Sequence, residues 1–218
     1  MKQPIIGVFD SGVGGLSVVA AVKKSLPQAK IFYADDKGNL PYGTKSAQQL
    51  RKLVVPKLNE LVAQGCQIIV IACNTVTTTL IEDLRKSILV PLVGMEPMVK
   101  PAAELTKSKI IAVCATPTTL ASSRYGFLKD NYAKGVRVLE PDCSNWARMI
   151  EDSRIDRQQI SDQIDAVCNQ NADVVVLGCT HYHWIEDLIK RVAAGRATVL
   201  QPEKPAIKQL RQVLGQLA

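Results

Sequence analysis

The chain has 218 residues, room for two α/β units of roughly 100 residues each. Hydrophobic residues make up 47% and charged residues 22%, the balance of an ordinary globular protein. No apolar run approaches the ~20 residues of a spanning helix, which excludes a membrane partner of that kind. The net charge of +7 invites a polyanion. However, Lys23-Lys24, Arg51-Lys52, Arg85-Lys86 and Lys190-Arg191 are scattered over several helical segments. With aromatics at 5%, there is no base-stacking platform, so the charge reads as solvated helix faces and no nucleic acid is expected.

From the start, Met1-Lys2-Gln3-Pro4 runs straight into a strand-like segment without a signal-peptide core, so a cytoplasmic location is expected. Val- and Ile-rich runs predict strands at Ile5–Phe9, Ile31–Ala34, Ile68–Ala72, Leu92–Met95, Ile110–Val113, Val136–Leu139, Val174–Leu177 and Thr198–Leu200. Between them, helical spacing marks Leu16–Ser25, Ser46–Ala63, Thr77–Lys86, Thr118–Lys129, Asp156–Cys168 and Trp184–Val192. Because a parallel neighbour needs a crossover helix, this alternation predicts an α/β fold with mostly parallel sheets. Prolines at 97 and 101 punctuate the middle, and a second break falls at Gln201-Pro202-Glu203-Lys204-Pro205. Beyond it, Ile207, Leu210, Val213, Leu214 and Leu217 form one apolar helical face that must dock, most economically on the first half. The expected units are therefore 1–97 plus 205–218, and 98–204.

The halves repeat. Ile-Ile-Val-Ile-Ala-Cys73-Asn-Thr leads to Ile81-Glu82-Asp83-Leu84, and Val-Val-Val-Leu-Gly-Cys179-Thr-His leads to Ile185-Glu186-Asp187-Leu188. With Ile5-Ile6-Gly7-Val8 matched to Ile110-Ile111-Ala112-Val113, the offsets are 104 to 106 residues, an internal duplication. Two pseudo-symmetric domains with the active site in the cleft between them follow. Six cysteines without a Cys-x-x-Cys read as reduced thiols. Cys66, Cys114 and Cys168 fall in apolar patterns, whereas Cys73 and Cys179 each end a strand beside a helix start, where backbone amides favour a thiolate. Two such thiols in matched frames suit acid/base work on both faces of one substrate carbon.

Other loops at strand ends complete the set. Asp10-Ser11-Gly12-Val13-Gly14-Gly15 offers close backbone approach and anion-binding amides, but lacks the Gly-x-Gly-x-x-Gly spacing and a Walker lysine. A carboxylate-binding or tight-turn loop is expected there rather than a nucleotide loop. Pro41-Tyr42-Gly43-Thr44 is a turn ahead of a helix. Cys179-x-His181-x-His183 contains metal-ligand types in a spacing that matches no common zinc pattern, so no metal is expected. His181 reads instead as an acid/base partner of Cys179, and His183 has no assigned chemistry.

Together, residues 6–16, Pro41-Tyr42-Gly43, Ala72-Cys73-Asn74-Thr75 and Gly178-Cys179-Thr180-His181-Tyr182 resemble glutamate racemase, within the aspartate/glutamate racemase superfamily. The resemblance runs from residue 5 to about residue 190. It implies a bacterial, cofactor-independent enzyme that supplies D-glutamate for peptidoglycan, with glutamate as substrate; self-association as a homodimer is compatible with it. It further implies Cys73 and Cys179 as the two acid/base residues, Asp10 assisting the first and His181 the second. Ser11, Tyr42, Gly43, Asn74, Thr75 and Thr180 would hold the substrate, joined by Thr116 and Thr118. Glu151, after Cys143-x-x-Trp146, resembles a further assisting carboxylate, with a solvated helix-end carboxylate as its other reading. Four departures stand out: a short stretch from Trp146 to Val174, His183 in place of proline, Val76-Thr77-Thr78 after the first cysteine, and Gln201-Pro202-Glu203 near the last strand. The alternative to catalysis is an amino-acid-binding member that is non-catalytic or altered in specificity.

Overall fold

A computed structural model describes residues 3–217; the outermost residues of the expected first unit, Met1, Lys2 and Ala218, lie outside the described residues. Strands β1 (Ile5–Phe9), β2 (Lys30–Ala34), β3 (Ile68–Ile71) and β4 (Leu92–Gly94) form one sheet in the order β2-β1-β3-β4. Strands β5 (Ile110–Ala115), β6 (Arg137–Leu139), β7 (Val174–Gly178) and β8 (Thr198–Leu200) form a second in the order β6-β5-β7-β8. Every neighbouring pair is parallel. The two sheets therefore share one strand order, and the sequence duplication extends to topology. All residues of β3 and β7 are buried, because crossover helices cover both faces of each sheet.

Among the described residues, ten α-helices surround the sheets: α1 (Gly15–Ser25), α2 (Ala47–Ala63), α3 (Asn74–Ser87), α4 (Val99–Leu105), α5 (Pro117–Leu120), α6 (Ser123–Tyr132), α7 (Trp146–Glu151), α8 (Arg157–Asn169), α9 (Glu186–Ala193) and α10 (Glu203–Leu217). Local chemistry sets their ends. The Ser46 hydroxyl accepts from Gln49 N–H while the Gln49 side chain accepts from Ser46 N–H, a capping box that starts α2. Its apolar stripe, Leu50, Val54, Leu58 and Leu61, is buried at helical spacing.

The structure corrects three helix boundaries. Helix α3 begins at Asn74, three residues ahead of the periodic pattern, because polar residues 74, 75, 77 and 78 are buried along with the apolar ones. The single helix expected over Thr118–Lys129 is two, since Thr116 caps α5 and Ser122, accepting from Tyr125 N–H, caps α6. A 3₁₀ segment at Thr180–Ile185 takes up Trp184, so α9 starts two residues later than the pattern. The short helices α4 and α7 carry too few turns for periodicity to reveal them.

Apolar clusters line both faces of each sheet. Helix α10 supplies Ala206 and Leu210 to the cluster containing Val18 and Val22 of α1 and Val93 of β4, which returns the C-terminal segment to the first sheet. No helix among the described residues is long and apolar enough to cross a membrane. Truncating Leu210, fully buried, to Ala should cost about 2–5 kcal/mol in urea denaturation. The same change at Leu217, 52% exposed, should stay within about 0.5 kcal/mol. Equal costs at the two positions would show that α10 contributes no core.

Candidate active site

The carboxyl ends of both sheets face one cavity of about 310 Å³, a size for a small ligand. Ser11, Tyr42, Gly43, Cys73 and Thr75 line it from the first half. Thr116, Glu151, Cys179, Thr180 and His181 line it from the second. Of the residues expected at the site, Asp10, Asn74 and Thr118 lie outside the lining.

Cys73 follows β3 and occupies the N-cap position of α3, with 3% of its surface exposed. Its thiol donates to Ser11 Oγ at 3.7 Å, and the Val76 amide also points at the sulfur. Burial pushes the Cys73 thiol well above the usual thiol range, and the neighbouring charge of Asp10 pushes the same way. At neutral pH, Cys73 is therefore held as the protonated thiol.

The Asp10 carboxylate, fully buried, is bonded elsewhere. Its Oδ2 accepts from Gly15 N–H at 2.7 Å and Gly12 N–H at 3.5 Å, and its Oδ1 from the Thr180 hydroxyl at 3.2 Å. Burial raises its pKa, against the lowering effect of His181 and these donors. The anion on the loop's amides is thus the chain's own. Glu151 adds a second, its Oε2 accepting from Val13 N–H at 2.9 Å. Two glycines of the loop permit this approach: a Cβ on Gly12 would come within 2.5 Å of Glu151 Oε2, and one on Gly14 within 2.6 Å of His181 N.

Cys179 follows β7, and its sulfur lies 3.9 Å from His181 Nδ1. The other ring nitrogen, Nε2, is 2.8 Å from Glu151 Oε2, so the structure brings Glu151 to the second thiol's partner. Burial opposes charge on the ring, but Cys179 and Glu151 together hold the His181 pKa up at about 10. The hydrogen bond with His181 pulls Glu151 below the usual carboxylate range against its own burial, helped by the Val13 amide and by Lys37. At neutral pH the result is an imidazolium between a sulfur and a carboxylate.

Buried hydroxyls from both halves meet beside the thiols. Thr75 Oγ1 and Thr116 Oγ1 are 2.9 Å apart, while Thr119 accepts from Thr116 at 2.9 Å and donates to Thr75 at 3.3 Å. Asn74 is buried with both side-chain polar atoms unpartnered, spare capacity for a ligand. Tyr42 donates to Asp36 at 2.6 Å, which orients its ring along the cavity wall. Thr118 departs from expectation: its hydroxyl donates to the Lys45 carbonyl at 3.3 Å, because α5 turns it towards the rim. His183 Nδ1 is 3.0 Å from Ser17 Oγ on α1, and burial lowers its pKa to about 4, so it joins the halves as a neutral ring. Among the described residues, no group of three or more His, Cys, Asp or Glu side chains is placed to hold a metal. Lys37, Arg148 and Thr119 carried no sequence signal: the first lies in a three-residue 3₁₀ turn, the second on a six-residue helix, and the third is one of several threonines.

The Asp/Glu/Hydantoin racemase family model matches residues 16–210. A glutamate racemase of Ectopseudomonas mendocina is 36% identical over 99% of this chain and 84% of its own length. One from Clostridium botulinum is 36% identical over 96% of this chain and 83% of its own. Among solved structures, Escherichia coli glutamate racemase in complex with L-glutamate and the activator UDP-MurNAc-ala superposes with a TM-score of 0.85. It is 26% identical, and the match covers 98% of this chain and 83% of that one. The Francisella tularensis glutamate racemase in complex with D-glutamate gives 0.80 at 27% identity, over 98% of this chain and 81% of that one. With a family match spanning both thiols and relatives at 36% identity along nearly its whole length, the chain belongs to the Asp/Glu/Hydantoin racemase family and is an isomerase.

Proposed function

We propose that the chain is a cofactor-independent glutamate racemase that interconverts L- and D-glutamate by proton transfer between Cys73 and Cys179, supplying D-glutamate for peptidoglycan from the cytoplasm. The observation that carries the reading is that these cysteines, equivalent in the two halves, line one cavity from opposite halves. The relatives named glutamate racemase, and the solved complexes with either enantiomer, support glutamate as the substrate. We take the working units as 1–97 plus 205–218 and 98–204, with the cavity between them.

In this reading the two thiols have different surroundings. Burial keeps Cys73 a thiol, whereas Cys179 stands beside the imidazolium of His181. One enantiomer presents its Cα–H to the Cys179 thiolate, and Cys73 delivers its proton to the opposite face. The reverse direction exchanges these roles. The α-proton is weakly acidic, so charge developing on the substrate carboxylate needs donors already in place. Thr75, Thr116 and Thr180 supply them from the cavity wall, which Ser11, Tyr42 and Gly43 complete; the unpartnered amide of Asn74, beyond the lining, is held in reserve. Asp10 acts through Thr180 and the loop, and its charge opposes ionisation of Cys73. Glu151 holds the His181 ring in orientation.

Replacing Cys73 or Cys179 by Ala should each lower racemisation of both enantiomers by roughly 10²–10⁴-fold or more, followed by circular dichroism. Cys66→Ala should retain activity; full activity in Cys179→Ala would overturn the assignment. In D₂O, early product should carry deuterium at Cα while recovered substrate carries little, since donor and acceptor are different thiols. Equal early labelling of both would indicate one exchanging base.

The raised His181 pKa sets a pH dependence. A folded-state value of about 10, above the ~6.5 of an unfolded histidine, contributes stability that is full below ~6.5 and lost as pH rises through about 10. The destabilisation caused by His181→Asn should therefore be largest near pH 6 and shrink towards pH 10 in urea titrations. A constant difference across that window would show that the ring is neutral.

A further inference from the structure

We propose that Lys37 is a positioning residue for the second thiol, reaching across from the first half to fix the carboxylate that orients His181. Lys37 opens a 3₁₀ turn (Lys37–Asn39), and its ammonium lies 3.7 Å from Glu151 Oε1. The other oxygen of the same carboxylate, Oε2, takes both Val13 N–H and His181 Nε2. A carboxylate has two oxygens to distribute, and here each is engaged. With Oε1 held by the ammonium, rotation that would withdraw Oε2 from the imidazole separates two opposite charges.

The arrangement also has a direction. Glu151, His181 and Cys179 belong to the second half, whereas Lys37 and Val13 belong to the first. The second thiol's relay is therefore complete only while the halves are together, and a cleft that opened would leave Glu151 attached to His181 alone. The hydrogen-bond partners of the first thiol, Ser11 and Val76, belong to its own half. The duplicated frames thus differ in where their partners come from: contacts across the cleft complete the set around Glu151 and His181.

Other charged groups around Glu151 define the background. His181 faces it from the 3₁₀ segment, with Cys179 and Asp10 behind the ring. Tyr33 faces it from β2, its hydroxyl bound to the Gly12 carbonyl and its pKa pushed up by burial. Arg148 and Asp152, on and just after α7, pair with each other at 3.6 Å and not with Glu151. Lys37 is thus the cation that the first half contributes at Glu151, and at 52% side-chain exposure its influence is screened rather than large.

The test has a part that needs no activity. In the full chain with ¹³C-labelled glutamate, the Glu151 carboxyl, assigned through Glu151→Gln, should titrate below the usual range. Lys37→Met should raise that titration by roughly 0.2–0.7 pH unit, the scale of a half-exposed ion pair, and Lys37→Arg should restore it. The kinetic part rests on the two-base reading. The acid limb of kcat/KM should move up with the Glu151 titration in Lys37→Met and return in Lys37→Arg. A KM increase without a shifted limb would make Lys37 a substrate contact and overturn the proposal. An unmoved Glu151 titration overturns it whether or not the chain racemises glutamate. A moved titration in a protein that racemises neither enantiomer would instead overturn the function proposed above and leave the Lys37 contact standing.

Discussion

The cavity depends on one set of contacts, the seating of the second half on the glycine loop of the first. Asp10, fully buried, gives one oxygen to the loop's amides and the other to Thr180, so a single carboxylate ties the start of α1 to the residue after Cys179. Burying a carboxylate is costly unless its lone pairs are used, and here three donors use them. Glu151 repeats the device from the other side, on Val13 N–H and His181. Without side chains at Gly12 and Gly14 the two surfaces can meet at backbone distance.

From that seating the electrostatics of the two thiols diverge. Duplication places both cysteines at equivalent strand ends, but what surrounds them is not duplicated. Cys73 has a hydroxyl and an amide for company, together with the charge of Asp10, and remains protonated. Cys179 has an imidazolium anchored by a carboxylate. The two-base exchange proposed above needs one acid and one base at the start of each turnover, and the two sulfurs meet different neighbours. The near-symmetric scaffold accounts for the placement of the sulfurs, and the unsymmetric partners for their different surroundings.

A network of buried hydroxyls lies beside the thiols. Thr75, Thr116 and Thr119 bond one another across the junction between the halves, which fixes which lone pairs and hydrogens remain for a ligand. Such a network is rigid when complete and costly when broken, because each hydroxyl is buried. The Asn74 amide, next in sequence to Cys73, is buried and left unpartnered.

Strand positions, the parallel α/β architecture and the duplication were legible because they rest on local hydrophobic patterns of period two and 3.6, repeated at a constant offset. Cys73 and Cys179 stood out for the same reason, as matched thiols at matched strand ends. The start of α3 was not legible, since four of residues 74–78 are polar and are buried by hydrogen bonds to distant partners, Thr75 to Thr116 and Thr77 to Ile71 and Met95, rather than by apolarity. The break at Ser122 was hidden because capping competes with periodicity at a single residue. The glycine loop reads from sequence as carboxylate-binding or a tight turn, and the assembled structure puts the chain's own Asp10 and Glu151 carboxylates on its amides. Which oxygen of Glu151 faces His181, where Thr118 points, what Lys37 touches and how Asp10 meets Thr180 depend on side chains separated by up to 170 residues and brought together by the packing of two sheets. Local sequence determined the elements and the candidate reactive groups; tertiary packing decided their partners, because burial and charge proximity arise only when the halves meet.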